Sequence, residues 1–284
     1  MFEHASVARL PAPTTRRLEP TSEWRWPSLR DAWTSRELLF FFVWRDVTVR
    51  YKQMALGAAW AVIQPLATMV VFSIFFGRFA HMPSDGVPYP LFAMCGLVPW
   101  TYFSAALANG SQSLVAQQHI LSKVYFPRVL VPLASVAAPL VDFSVALAIV
   151  LALAAGYRVT PSTSVVFVPV FLALAVLTAT AVALWFSALS VRYRDLRYVI
   201  PFAMQLWMFA SPVAYPASIV PGRWRVLYAL NPMTGVLEGF RWALLGTSAP
   251  GVLMPFVSAI AVAAVAATGL AYFRHVEGTI ADVL

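Results

Sequence analysis

Charge is what this sequence has least of. Only 11% of its 284 residues are Asp, Glu, Lys or Arg, where an ordinary soluble domain carries about 25%. Hydrophobic residues make up 60%, and the mean hydropathy is +0.73. So few charges cannot cover a water-soluble globule of this size, and the chain reads as an integral membrane protein. Cysteine is scarcer still. The single Cys95 excludes an intramolecular disulfide and a cysteine-based metal cluster, and its place in an apolar run points to inert packing. His4, His81, His119 and His275 stand far apart and form no metal-binding spacing. The sequence has no G-x-x-x-x-G-K-S/T phosphate cradle and no serine in a G-x-S-x-G elbow, so neither ATP binding by that route nor that kind of hydrolase chemistry is expected. No metal or other cofactor is expected in this chain.

Long apolar stretches are what it does have. Crossing a bilayer takes about 20 apolar residues, and stretches of that order recur at 53–77 (core 58–76), 90–114, 129–157, 165–191, 198–215 and 252–273. The third is interrupted only by Asp142. Between the fifth and the last, 221–246 is apolar but carries Pro232, Gly235 and Gly239 together with Arg223, Arg225, Glu238 and Arg241. That mixture predicts a re-entrant hairpin, because irregular backbone at membrane depth must be buried in protein or line a cavity. The fold class expected is therefore an all-α membrane protein with six transmembrane helices, an amphipathic interfacial helix before the first and a re-entrant helical hairpin before the last. Residues 1–32, rich in Pro, Arg, Glu and Thr and without an apolar core after the early arginines, predict a flexible cytoplasmic tail rather than a cleaved signal peptide. Residues 33–53 form the interfacial helix and 54–284 the transmembrane domain.

The net charge of +8 is read by its location rather than as affinity for nucleic acid. With the amino terminus inside, fifteen Lys and Arg fall on the cytoplasmic side. Five fall outside: Arg78, Arg158, Arg223, Arg225 and Arg241. The positive-inside rule then puts both termini in the cytoplasm.

Within 33–53, Phe40, Trp44, Val47 and Tyr51 make one apolar stripe, with Asp46, Arg50 and Gln53 opposite and Asp46 and Arg50 spaced as an i,i+4 pair. Such a helix lies in the interface plane, either as a passive anchor or as a docking helix. The loop 118–128 is short and cytoplasmic, with Val124, Tyr125 and Phe126 between Lys123 and Arg128 and Pro127 ending any helix. Those apolar side chains pack on the chain's own helices or on a partner. Asp142 is the one acid in the spans. An isolated carboxylate is a poor proton relay, so a hydrogen bond across helices is the expected role, and the energy for any transport comes from another subunit. Phe72, Phe76, Trp100, Phe103, Trp207 and Tyr215 belong to a dense aromatic set. Most such residues pack or sit at the interface, but a track of rings can also pass a glycan, whose sugar faces stack on them and slide.

Four runs, taken together and in order, carry a resemblance. They are W-R-D-V-T-V-R-Y-K-Q from Trp44, L-G-A-A-W-A-V-I-Q-P-L from Leu56, S-K-V-Y-F-P-R from Ser122 and N-P-M-T-G-V-L-E-G-F-R from Asn231. R-D-L-R at Arg194 and S-P-V-A-Y-P at Ser211 add to them. With these the chain, over 41–273, resembles the permease subunit of a bacterial ABC exporter for polysaccharide or polyol phosphate. The resemblance implies a homodimer in the inner membrane, with two copies of a cytoplasmic ATPase that bind ATP and Mg. It also implies a lipid-linked polysaccharide, such as O-antigen, capsule or teichoic acid, as the substrate. Arg45, Asp46, Arg50 and Lys52 on a gate helix, and Lys123, Val124, Tyr125, Phe126 and Arg128 on a coupling helix, would meet the ATPase. Asn231, Pro232, Glu238 and Arg241 would belong to the outer hairpin. The rivals are a drug or small-lipid exporter of the same architecture, a polytopic glycosyl or acyl transferase, for which no acid/base cluster is present, and a non-transporting scaffold.

Overall fold

A span with almost no charge must bury its backbone polar groups in helix and its side chains against protein or lipid. The computed structural model describes residues 35–52, 59–121, 123, 126–159, 163–247, 249, 251 and 253–283, with side chains as far as 277, and the described residues contain helices, turns and loops but no strand. The expectations for the tail 1–32 and for Val124 and Tyr125 lie outside the described residues.

Helix α1 spans Arg36–Lys52, with Glu37 in its first turn and Arg50 and Lys52 in its last, charges that complement the helix dipole. Helix α2, Ala59–Phe72, runs on as a π-helical segment, Ser73–Phe79, closed by Ala80 N–H donating to the Phe75 carbonyl at 2.9 Å. A turn with His81, Asp85 and Gly86 at positive φ leads to α3, Tyr89–Ala116. Pro90 lies in the first turn of α3, where the missing N–H costs no helical bond. One turn at Gln118–Leu121, α4, precedes α5, Leu130–Ala137, and α6, Leu140–Gly156. A 3-10 turn, Thr163–Phe167, opens α7, Val168–Arg192. Then come α8 (Leu196–Phe209), α9 (Arg225–Ala229), α10 (Pro232–Leu245) and α11 (Leu253–Val283).

Among the described residues, five helical stretches are long and apolar enough to cross a membrane: Ala59–Phe79, Tyr89–Ala116, Leu130–Gly156, Thr163–Arg192 and Leu253–Glu277. They match five of the six expected. The third is jointed at Ala138 and Pro139, between α5 and α6, a division that the run of apolar letters does not reveal. The other expected span, 198–215, falls on the 14-residue α8, which begins two residues earlier, and then on turns. At 1.5 Å per residue α8 is about 21 Å long, short of the roughly 30 Å hydrocarbon core.

Helix α3 is the interior member, with 78% of its apolar window buried, and α2 is the exterior one, with 0% buried. Helix α7 lies along α3, α11 lies along α7, and α5, α6 and α10 also pack on α3. Small residues permit these approaches. A Cβ on Gly110 of α3 would come within 2.7 Å of the Ala183 methyl on α7, and one on Gly235 within 2.7 Å of Ser258 Oγ on α11. The 221–246 expectation needs a correction here. Gly235 and Gly239 do not break a helix. They lie inside the continuous α10, and Gly239 receives the Phe171 ring where a Cβ would overlap it. Gly239→Ala is expected to cost about 1–3 kcal/mol by overpacking. The Phe171→Leu double variant should then be more stable than the two single losses add up to, as measured by thermal unfolding in detergent.

Candidate functional site

The carboxyl ends of α3, α7 and α11 and the amino end of α5 meet α1 at one end of the bundle. There Phe42, Leu114, Phe126, Leu130, Ala188 and Phe273 form a separate apolar cluster. Phe126 is 8% exposed, with its ring centroid 5.2 Å from that of Phe42, and Arg128 Nη1 donates to the Glu277 carbonyl. Of the two roles open to the loop's apolar residues, Phe126 takes the internal one. Lys123 and Lys52 are exposed.

Helix α1 is turned in an unexpected way. Phe40 and Trp44, from the expected apolar stripe, are 70% and 62% exposed, while Phe42 is buried and Asp46 and Arg50 face the protein. In a membrane protein the outward face meets lipid, so apolar-out and polar-in is the stable sense. The expected Asp46–Arg50 pair does not form. Asp46 pairs with Arg45 at 2.8 Å and accepts a bond from Ser135 Oγ at 3.4 Å, and the Arg45 guanidinium sits 5.0 Å from the Phe42 ring centroid.

Arg50 instead reaches Asp142 on α6, which also accepts the Tyr51 hydroxyl. The acid therefore has the inter-helix hydrogen-bonding role expected of it, in a clasp that closes α1 onto α6. Burial first, and the Asp142 carboxylate second, push the Tyr51 phenol up to about 12, so it remains a donor across the physiological range. Beside the clasp, α1, α2, α3 and α6 border a half-open cavity of about 270 Å³ lined by Arg50, Tyr51, Trp60, Gln64, Thr101 and Asp142 among others. Trp60 and Gln64 were not among the expected site residues. Their signal in the sequence is an indole and an amide four residues apart in an otherwise apolar span.

The aromatic candidates divide. Trp100 is 4% and Phe103 0% exposed, their ring centroids 5.7 Å apart, and Trp207 meets Phe103 edge-on at 5.0 Å. The first contact lies within α3 and the second joins α3 to α8, and at this burial Trp100 and Phe103 present no face to a path outside the chain. Phe72 and Phe76, whose centroids are 5.2 Å apart, and Tyr215 are partly exposed.

At the opposite end, the expected hairpin residues do come together. Asn231 caps α10 by accepting the Met233 N–H at 3.1 Å, takes the Trp207 indole N–H at 2.9 Å and donates to Ser211 Oγ at 2.8 Å. Pro232 is buried at the first turn. Arg241 is 1% exposed. It pairs with Glu238 at 3.0 Å and donates to the carbonyls of Val213 at 2.6 Å and Tyr215 at 3.3 Å, while the Phe92 ring centroid lies 3.8 Å from its guanidinium carbon. Glu238 also accepts the Ala217 N–H at 3.2 Å. Gly96 makes the room, since a Cβ there would sit 2.6 Å from Arg241 Nη2.

Comparison with known proteins adds a second line. Residues 37–245 match the family model described as ABC-2 type transporter. Over 216 residues the chain is 29% identical to the O-antigen export system permease protein RfbA of Myxococcus xanthus, covering 75% of this chain and 82% of that protein. A Klebsiella pneumoniae protein of the same name is 27% identical over 206 residues, 72% of this chain and 79% of its own. The polysialic acid transport protein KpsM of Escherichia coli is 21% identical over 239 residues, 82% of this chain and 91% of its own.

Proposed function

Because this chain belongs to the ABC-2 type transporter family, we propose that it is the permease subunit of an ATP-driven exporter that moves lipid-linked polysaccharide, of the O-antigen kind, across the bacterial inner membrane. The observation that carries the substrate class is the match, over about three quarters of the chain, to permeases named for O-antigen export. In this reading two copies form the transport path and two cytoplasmic ATPase subunits drive it. The end of the bundle that holds α1, Lys123, Arg128, Arg192 and Arg274 faces the cytoplasm, as the excess of basic residues there favours, and with it both termini.

Helix α8 with the turns that follow it is the sixth crossing, and α9–α10 is the re-entrant hairpin at the outer mouth. Two contacts favour that depth for the hairpin: Ser258 Oγ, in the second turn of α11, donates to the Ala229 carbonyl at 2.9 Å, and Ser164 Oγ, before α7, donates to the Trp242 carbonyl at 3.1 Å. The ATPase is met by Lys52 and Lys123, and by Arg45 and Arg128 at the margin of the apolar cluster. Phe72, Phe76 and Tyr215 line the path, with Trp207 behind them.

Co-expression tests the reading. Purified alone, the chain should turn over no ATP. With its ATPase it should form a complex whose hydrolysis and whose delivery of surface polysaccharide both require it. Normal surface polysaccharide in a strain lacking the gene, or ATP turnover by the chain alone, would overturn the proposal.

A further inference from the structure

The cavity beside the Arg50–Asp142 clasp is used by nothing described so far. It is a half-open hollow within one chain, between α1, α2, α3 and α6, with Trp60, 47% exposed, and the exposed Gln64 at its mouth, and it runs along α2 from Trp60 to Thr68. At about 270 Å³ it lies just under the roughly 300 Å³ at which ordinary small-molecule pockets begin, so it holds one ring rather than an oligosaccharide.

Its chemistry narrows the ligand. Arg50 and Asp142 neutralise each other across the wall, so a phosphate would find no net positive charge, and a purely apolar group would leave the Gln64 amide facing it without a partner. A ligand that is neutral overall, polar at its edge and apolar on its face meets both demands. The edge groups are the Arg50–Asp142 pair and the Gln64 amide. The hydroxyls of Thr68 and Thr101, whose protons go to the carbonyls of Gln64 at 2.9 Å and Val98 at 3.0 Å, keep lone pairs to accept with. The open flat face comes from Trp60, with Tyr51 beside it and the buried Tyr102 and Phe143 as the floor, and an indole face can stack on the C–H face of a pyranose.

We propose that this cavity is a binding subsite for a single neutral sugar ring, occupied by the polymer partway along the bundle, where the last turn of α1 meets α6. The proposal rests on the polysaccharide reading above. It places a grip on the cargo inside each subunit, apart from any path between two copies, and it ties occupancy to α1, since the ring would touch the residues that clasp α1 to α6.

The test uses the whole complex in cells that make the polymer, with p-benzoylphenylalanine in place of Gln64 in one strain and of Phe76 in another. After ultraviolet illumination, the permease is purified and its adducts are read by glycan staining and mass spectrometry. Glycan on the position-64 protein is the expected result, falling by about fivefold when Trp60→Ala is added, the loss of roughly one stacking contact, and retained with Trp60→Phe. Glycan at position 76 but not at 64 would overturn the subsite and leave the exporter reading standing. Phospholipid adducts alone at position 64 would likewise overturn the subsite. Glycan at neither position would sink the polysaccharide reading and the subsite with it.

Discussion

Arg241→Ala should leave almost no folded protein in the membrane. The guanidinium is 1% exposed and satisfies the Glu238 carboxylate and the carbonyls of Val213 and Tyr215 at once. Removing one partner of a buried ion pair costs about 3–5 kcal/mol, because the other charge stays buried without compensation. That is comparable to the whole margin by which small proteins are folded. Glu238→Gln should cost less, since the amide oxygen can still accept from the guanidinium and from the Ala217 N–H, and the arginine keeps its two carbonyls. Gel-filtration profiles and thermal midpoints of the two variants should therefore rank Arg241→Ala well below Glu238→Gln. Equal stability of Arg241→Ala and the parent would show that the cluster contributes nothing to folding.

Phe126→Ala should also act on folding, and it separates two accounts of the loop. A ring on a short polar loop invites the reading of a docking knob, whose removal would release the ATPase and spare the permease. The ring is instead buried against Phe42, in the cluster that gathers the ends of α3, α5, α7 and α11 around α1. Emptying a site of that kind costs about 3–5 kcal/mol, so the thermal midpoint should fall steeply, and the folded fraction should still retain its ATPase. Lys123→Glu, at an exposed position, is the complementary change: stability should be unaffected while ATPase recovery drops. A Phe126→Ala protein of normal stability that loses its ATPase would restore the docking account.

Composition and run length made the membrane class and five of the spans legible, because the cost of burying charge in hydrocarbon leaves a mark on every residue of a span. The joint at Pro139 left no such mark, since both sides of it are equally apolar. Nor did the short α8, whose continuation into turns keeps the same hydropathy. For α1, the 3–4 periodicity placed Phe40 and Trp44 on one face but put Tyr51 with them, whereas Tyr51 turns inward with Arg50 onto Asp142, and the outward apolar face is completed by Phe41 and Val49. Which face turns outward depends on whether lipid or protein is the more apolar neighbour. Asp46 and Arg50 face Ser135 and Asp142 because those partners lie about 90 residues further along, a separation that no local pattern encodes. The same holds for the aromatics. Phe72 and Phe103 are alike as letters, and only the packing of α8 on α3 makes one half-open and the other closed. Asn231, Glu238 and Arg241 were legible as a group because polar residues in an apolar segment have few ways to be satisfied. Gly96, which makes room for Arg241, was not, since a glycine in a helix announces space without saying for what.

The contrast between α3 and α2 bears on how the sequence can drift. A change of volume along α3 opens a void or forces a clash within the chain, and the fold itself selects against it. Along α2, where the apolar window has no buried residue, the same change at an outward position such as Ile63, Val70 or Val71 meets no core packing, although Met69 and Phe72 on its inner side still touch the core. Constraint on the shape of that outward face beyond its hydropathy is imposed by what lies outside the chain, so one side of the first span records the demands of its surroundings and the other those of its own fold.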